Sequence, residues 1–572
     1  MNFRWRDALL YGGLAILILL PRLPGLKAFA TADEPYWLSM GANFYYALGQ
    51  REFANTIYEY QPAVTTMWLV TGALLLYYPQ YRGLGQGYLE FEKGLLDPFL
   101  LEHGKDPLVL LALTRALQVI ILAGLLVLAF TLLRRLVGLG PALAASLMAS
   151  FDPFFLGQSR LLDHEALLSC FVLISILSLC VYLFQGRRLA FLLMSAIAGA
   201  LAQLTKSSAI VLLVPAGLLM LYDLYRNRAD LRRALLTVAR DMSAWLAVLA
   251  LAYVVFWPGM WVAPGKMLHQ VYGNAFSYAF QGARLIALDQ SVDVPPGLDT
   301  GLAGAAGLVY TVFWRTTPLT WIGLLLAALL PFIRLRPGTG AGMRLTMAVL
   351  ALTGLAFIAM FALARGRNSP HYMLASYVMF NLLAGMGWFS LFQWAAVRYQ
   401  RAWLIAAGFA ALVVFQAASV LPFYPYYFTY QDPLLAWLQP RQQPQFAYGE
   451  GLELAARYLA DLPGARDSTA LVYYSRGCFS YFFPGSTERF KPYFAEPGHE
   501  QELFTALQGA DYLVLYPAVQ AGLPKYARLF KALSQVEPLK EIWLDGYRYA
   551  VVYNVDSFPL DFYDILFAGG TG

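Results

Sequence analysis

The chain reads as a polytopic α-helical membrane protein ending in a small α/β domain outside the membrane, and three observations predict this. Hydrophobic residues make up 59% of its 572 positions and charged residues only 13%, whereas a soluble domain carries about 25% charged residues. The apolar residues gather into runs of the length a bilayer demands, about 20 residues for a helix. Past residue 421 the character changes: charges become common and apolar runs shrink to strand length.

Taken in order, the runs predict about eleven spans, near 8–25, 108–135, 140–158, 166–184, 189–205, 207–222, 234–257, 317–333, 343–364, 371–394 and 402–421. The opening Met1-Asn-Phe-Arg-Trp-Arg6 is basic and no small-x-small cleavage site follows it. It is read as an uncleaved first helix with a cytoplasmic basic end. Basic connections at Arg134-Arg135, Arg187-Arg188, Tyr225 to Arg233, Arg334 to Arg344 and Val397 to Arg401 then fall on the same side. Ala63 to Tyr78 is apolar but short, and is read as a juxtamembrane or interfacial helix. The expected domains are 1–421 in the membrane and 422–572 outside it.

This topology puts four stretches outside: the loop 26–107, a short turn at 159–165, a Gly- and aromatic-rich loop from Pro258 to about Thr316, and the tail. Within the tail, Ala470–Ser475, Asp511–Pro517, Ile542–Leu544 and Tyr547–Asn554 read as strands, the last two joined at Asp545-Gly546. Gly451–Leu462 and Gln501–Gln508 read as helices. The expected location is the plasma (inner) membrane, multi-pass, with the active face extracytoplasmic.

The net charge of +6 lies in pairs bordering apolar spans, as topology determinants do; nothing in the spacing suggests nucleic acid. Cys170, Cys180 and Cys478 form neither a disulfide framework nor a metal box.

The chemistry points to Thr31-Ala-Asp33-Glu34-Pro-Tyr-Trp37, directly after the first apolar run. Neighbouring carboxylates repel, and a pair beside a substrate hydroxyl or a cation can supply a proton acceptor. Other ionisable residues are expected at the same membrane boundary: Arg115, Arg160, Asp163, His164, Glu165, Lys206, Arg365, Arg367 and His371. Charges gathered beside hydrocarbon usually mark a pathway or a site. The pattern suits a donor held in the bilayer by a polyprenyl-phosphate tail. A carboxylate would take the acceptor's proton and a cation would hold the leaving phosphate.

Asp33-Glu34 after the first span resembles the acidic motif of family 39 glycosyltransferases of the GT-C fold, which include protein O-mannosyltransferases and lipid A aminoarabinose transferases. Tyr58-Glu-Tyr-Gln61-Pro62-Ala63, Ser159-Arg160-Leu-Leu-Asp163-His164-Glu165, Leu204-Thr-Lys206-Ser and Pro370-His371-Tyr-Met-Leu are similar to stretches of the bacterial members. Tyr427 to Leu435 and Gly449 to Leu459 extend the likeness into the tail. The resemblance implies a GT-C membrane domain and inverting transfer of a sugar from a polyprenyl-phosphate donor to a protein, lipid or glycan acceptor. It implies Asp33 as general base with Glu34 assisting, and Arg115, Arg160 and Lys206 as donor-phosphate ligands. Asp163, Glu165, Gln61 and His371 are the expected substrate-binding residues. Two positions depart from the pattern: Gln61-Pro62-Ala63 stands where relatives carry His or Lys before Pro-Pro, and His371-Tyr372 where Arg-Tyr is common.

No metal ligand or cofactor is assigned. On a helix, consecutive Asp163, His164 and Glu165 would point apart, so metal-independent transfer is favoured, with a divalent ion near Asp33 and Glu34 the minority reading. Two rivals stand beside the enzyme: a transporter or flippase of a lipid-linked substrate, and a non-catalytic protein that binds lipid-linked glycan. The first predicts internal repeats and charges near the bilayer midplane; no repeat is evident.

Overall fold

A computed structural model describes residues 5–57, 61–89, 96–281, 300–329, 340–364, 369–438, 447–496 and 498–567. Tyr58 to Tyr60, Arg365 and Arg367, named above, lie outside the described residues. The chain divides into two compact units. One comprises 1–24, 39–94 and 113–438; the other comprises 25–38, 95–112 and 439–572.

The first unit is helical, and the chain is a polytopic helical membrane protein. Among the described residues seven helices are long and apolar enough to cross a membrane, and four shorter apolar helices accompany them. Glu165–Phe184 is buried along nearly its whole length and packs against Leu189–Thr205 and Leu374–Arg398. Small residues permit such close packing: a Cβ on Gly385 would lie 2.4 Å from the Ala144 carbonyl of Leu139–Ser150.

Four expectations change here. The span placed at 140–158 is two helices, Leu139–Ser150 and Pro153–Gln158. Pro153 cannot continue a helix hydrogen-bond ladder, and Asp152 restarts the chain as an N-cap, accepting from Phe155 N at 2.8 Å. The first helix, Trp5–Leu19, stops well before residue 25. The presumed loop 258–316 contains Gly259–Val262, Pro264–Leu268, Asn274–Gln281 and the fifteen-residue helix Gly301–Arg315. Finally, the short helix Val64–Tyr77 has no polar face and buries eight residues. Packing against neighbours, rather than interfacial amphipathicity, accounts for its position.

The second unit is built on a five-stranded sheet: β1 Thr469–Val472, β2 Ser486–Arg489, β3 Tyr512–Leu515, β4 Lys540–Leu544 and β5 Tyr547–Asn554. The order is β2-β1-β3-β5-β4, with β1 parallel to β2 and β3, and β5 antiparallel to β3 and β4. Strand alternation sorts the side chains into two cores. Leu471, Leu513 and Leu515 face the layer of Glu500–Gln508 and Ala527–Leu533, while Ala470, Val472 and Val514 face Leu452–Ala460. Asp545 and Gly546, both at positive φ (49° and 83°), make the β4–β5 turn. The edge strand β2, Ser-Thr-Glu-Arg, was not expected, because a solvent-facing edge needs no apolar run.

Candidate active site

In the second unit the 31–37 segment begins the helix Glu34–Gln50. Asp33 stands at its N-cap: the Asp33 carbonyl accepts from Tyr36 N and Trp37 N, both at 3.1 Å. Pro35 falls in the first turn, where its missing N–H costs nothing. The two acids separate in role. Glu34 is buried, and its Oε2 accepts from Thr31 N (2.7 Å) and Thr31 Oγ1 (2.9 Å). The carboxylate thus folds back on the residue three positions before it, ahead of the helix proper. Asp33 is exposed, and its Oδ2 accepts from the Tyr448 hydroxyl.

Tyr448 and Arg476 hold the segment further, and Asp97 in turn holds Arg476 and Tyr481. Ala32 N donates to the Tyr448 carbonyl at 2.9 Å. The Arg476 guanidinium lies 4.9 Å from the Tyr36 ring centroid and 3.8 Å from Asp97 Oδ2. Tyr481 donates to Asp97 Oδ1 at 2.8 Å. Beneath lies buried Glu450, whose Oε2 accepts from Tyr448 N at 2.6 Å; burial pushes its carboxyl up to about 7. Reading the sequence missed Tyr448, Arg476 and Glu450, which lie more than 400 residues from Asp33.

In the first unit Glu165 is fully buried at the N-terminus of Glu165–Phe184 and forms an ion pair with Lys206. Lys206 Nζ also stands 4.1 Å from the Tyr372 ring centroid. His164 Nδ1 lies 3.0 Å from Asp163 Oδ1, and its Nε2 lies 3.8 Å from Glu165 Oε1. His164 thus meets each neighbouring acid in turn, at the start of the helix Glu165–Phe184. Among the described residues, no group of three or more His, Cys, Asp or Glu is arranged to hold a metal ion. His371 sits in the short turn Pro370–Met373, its ring centroid 4.3 Å from that of Tyr372. The segment after Gln61 is tied to the end of Leu189–Thr205: Ala63 N donates to Thr205 O at 3.2 Å, and the Thr65 and Thr205 hydroxyls are 2.8 Å apart.

The arginines are buried. Arg115 lies about two turns inside Pro107–Val137, not at its end. Arg160, expected as a phosphate ligand, commits each guanidinium nitrogen to a carbonyl: Nε to Arg22 (3.1 Å), Nη1 to Pro425 (2.9 Å) and Nη2 to Pro24. It also sits 5.4 and 5.2 Å from the Tyr424 and Tyr427 ring centroids. Arg22, which sequence reading passed over, donates to Ser159 Oγ, Ile18 O and Ser150 O at 2.8–2.9 Å. Together the two arginines pin the chain after the first helix to the 150–160 corner.

Residues 111–261 match the family model of dolichyl-phosphate-mannose-protein mannosyltransferase, about a quarter of the chain. The matched stretch contains Arg115, Arg160, Asp163, Glu165 and Lys206. The chain is similar to GT-C glycosyltransferases of the ArnT and protein O-mannosyltransferase type. Among solved structures, ArnT from Cupriavidus metallidurans bound to undecaprenyl phosphate aligns over 95% of this chain and 97% of its own, at 13% identity and a TM-score of 0.45. The Pmt1-Pmt2 complex of S. cerevisiae, bound to its sugar donor, aligns over 45% of this chain and 34% of its own, at 21% identity and 0.35. The oligosaccharyltransferase AglB from Archaeoglobus fulgidus aligns over 90% and 70%, at 12% and 0.42. No curated protein sequence matches the chain.

Proposed function

We propose that the chain is an inverting glycosyltransferase that moves a sugar from a polyprenyl-phosphate donor to an extracytoplasmic protein, lipid or glycan acceptor. Asp33 is the general base. Its carboxylate takes the proton of the acceptor hydroxyl as that oxygen attacks the anomeric carbon, and the bond to the phosphate oxygen breaks on the opposite side. The observation that carries this reading is the division within the acidic pair: Glu34 is turned inward and bonded to Thr31, whereas Asp33 is exposed on a held rotamer. A general base must be both reachable and oriented. Matching family residues at 111–261 support the donor class.

Charge develops on the leaving phosphate, and a guanidinium or ammonium stabilises it most where water is excluded. Arg115 and Lys206 are assigned that role. Lys206 keeps Glu165 as its counter-ion, and Glu165, Asp163, His371 and Gln61 shape the surroundings in which donor binds. Arg160 acts through the fold, because its nitrogens already hold carbonyls. The membrane is the inner one, with the N-terminus cytoplasmic and Asp33 and the tail outside.

The test incubates purified protein with a panel of radiolabelled polyprenyl-phosphate sugars and follows release of polyprenyl phosphate. Wild type is expected to consume one donor, and Asp33→Asn to lose at least about 100-fold in rate. An Asp33→Asn variant as active as wild type would end the proposal.

A further inference from the structure

We infer that Tyr448 is the positioning residue of Asp33, and that the tail thereby forms part of the catalytic apparatus rather than an appended binding module. The inference rests on the proposed role of Asp33.

The contact is built from both sides. Tyr448 presents its hydroxyl to Asp33 Oδ2 and its carbonyl to Ala32 N, at 2.9 Å. One residue thus holds the acid's side chain and the backbone just before it. Tyr448 is itself held. Its N–H donates to Glu450 Oε2 at 2.6 Å, and Gly449 N donates to Tyr516 Oη at 3.1 Å. The Tyr516 hydroxyl in turn donates to the Glu450 carbonyl at 3.1 Å. Tyr516 follows β3 directly, so the loop is anchored to the sheet. Gly449, at φ +100°, passes so close to Cys478 that a Cβ would meet its Sγ at 2.3 Å. The loop has little freedom to retreat from Asp33.

An exposed aspartate ordinarily samples several rotamers. A phenol bonded to one oxygen selects one of them and, as a donor to an ionised acceptor, favours the anion over the acid. Both effects serve a base: the carboxylate stays charged and stays aimed. The rigid ring brings the hydroxyl there with only two side-chain torsions to order.

Tyr448→Phe removes one oxygen and keeps the ring. The first readout needs no substrate: carbodiimide-driven coupling of glycinamide to Asp33 at mildly acidic pH, followed by peptide mass spectrometry, in the full-length protein. Carbodiimide attacks protonated carboxyls, so Asp33 in Tyr448→Phe is expected to couple several-fold faster, with exposed Asp461 and Glu537 unchanged. Equal coupling at Asp33 overturns the inference. The second readout is turnover of the donor found active. Tyr448→Phe is expected to lower kcat about tenfold with KM nearly unchanged, and to move the acid limb of the pH–rate profile upward. It is expected to add no further loss in an Asp33→Asn background. An unchanged kcat and acid limb overturn the positioning role even if coupling responds. If wild type turns over no donor while coupling responds, the glycosyl-transfer reading falls and the Tyr448 hold on Asp33 stands.

Discussion

Gly477→Ala probes the seat of the acidic segment through Pro35 rather than through Tyr448. Gly477 has φ +73°, and a Cβ there would lie 2.3 Å from Pro35 Cγ and 3.2 Å from Pro35 Cδ. An ordinary carbon contact is about 3.5 Å, so the two must separate by roughly 1.2 Å. Pro35 is a rigid ring in the first turn after Asp33-Glu34, and it cannot rotate away as a long side chain could. Left-handed strain and overpacking together cost about 2–5 kcal/mol. For a unit of this size that corresponds to a fall in Tm of about 5–15 °C. A displacement near 1 Å in a reacting group also lowers turnover on the order of 100-fold. Gly464→Ala is the control: its φ is +79°, yet no heavy atom lies within 4 Å of the added Cβ, so it carries the strain alone, about 1–2 kcal/mol. Thermal unfolding of detergent-solubilised protein and donor turnover are measured for both variants. Equal behaviour of Gly477→Ala and Gly464→Ala would refute the claim that Pro35 is pressed against this loop.

Two further outcomes are expected. Glu450 has its carboxyl raised from 4.5 to about 7 by burial, so between these pH values the folded chain holds a proton that the unfolded chain has lost. Stability from this group therefore falls as pH rises from 4.5 to 7 and is flat outside that window, a difference of about 3 kcal/mol. Glu450→Gln should raise Tm relative to wild type above pH 7 and not at pH 4.5; a gain of the same size at both would show that the carboxyl is not the cause. In the first unit, Lys206→Met or Glu165→Gln alone leaves a buried charge and should destabilise by about 3–5 kcal/mol, whereas the double variant should cost less than their sum by at least about 1 kcal/mol. Strict additivity in thermal unfolding would mean that the ion pair is not energetically coupled.

Much of the helical layout is legible locally, because a bilayer requires long uninterrupted apolar runs and the chain supplies them. The exceptions have local causes too. Pro153 after Asp152 breaks one predicted span, and the next long helix begins only at Glu165. The strands of the tail could be read wherever they are buried, while the polar edge strand β2 could not, since nothing apolar marks it.

The sequence by itself determined that the chain lives in a membrane, that an α/β tail follows its last span, and that Asp33-Glu34 is the acidic pair to watch. Those properties depend on composition, run length and spacing, which are local. Only the tertiary structure decided that the pair divides into an inward-turned Glu34 and an exposed Asp33, that Arg160 commits its nitrogens to carbonyls, and that residues 25–38 and 95–112 form one compact unit with 439–572. Each of these depends on hydrogen bonds and close packing between residues far apart in the chain. No local pattern records which phenol will stand over which carboxylate.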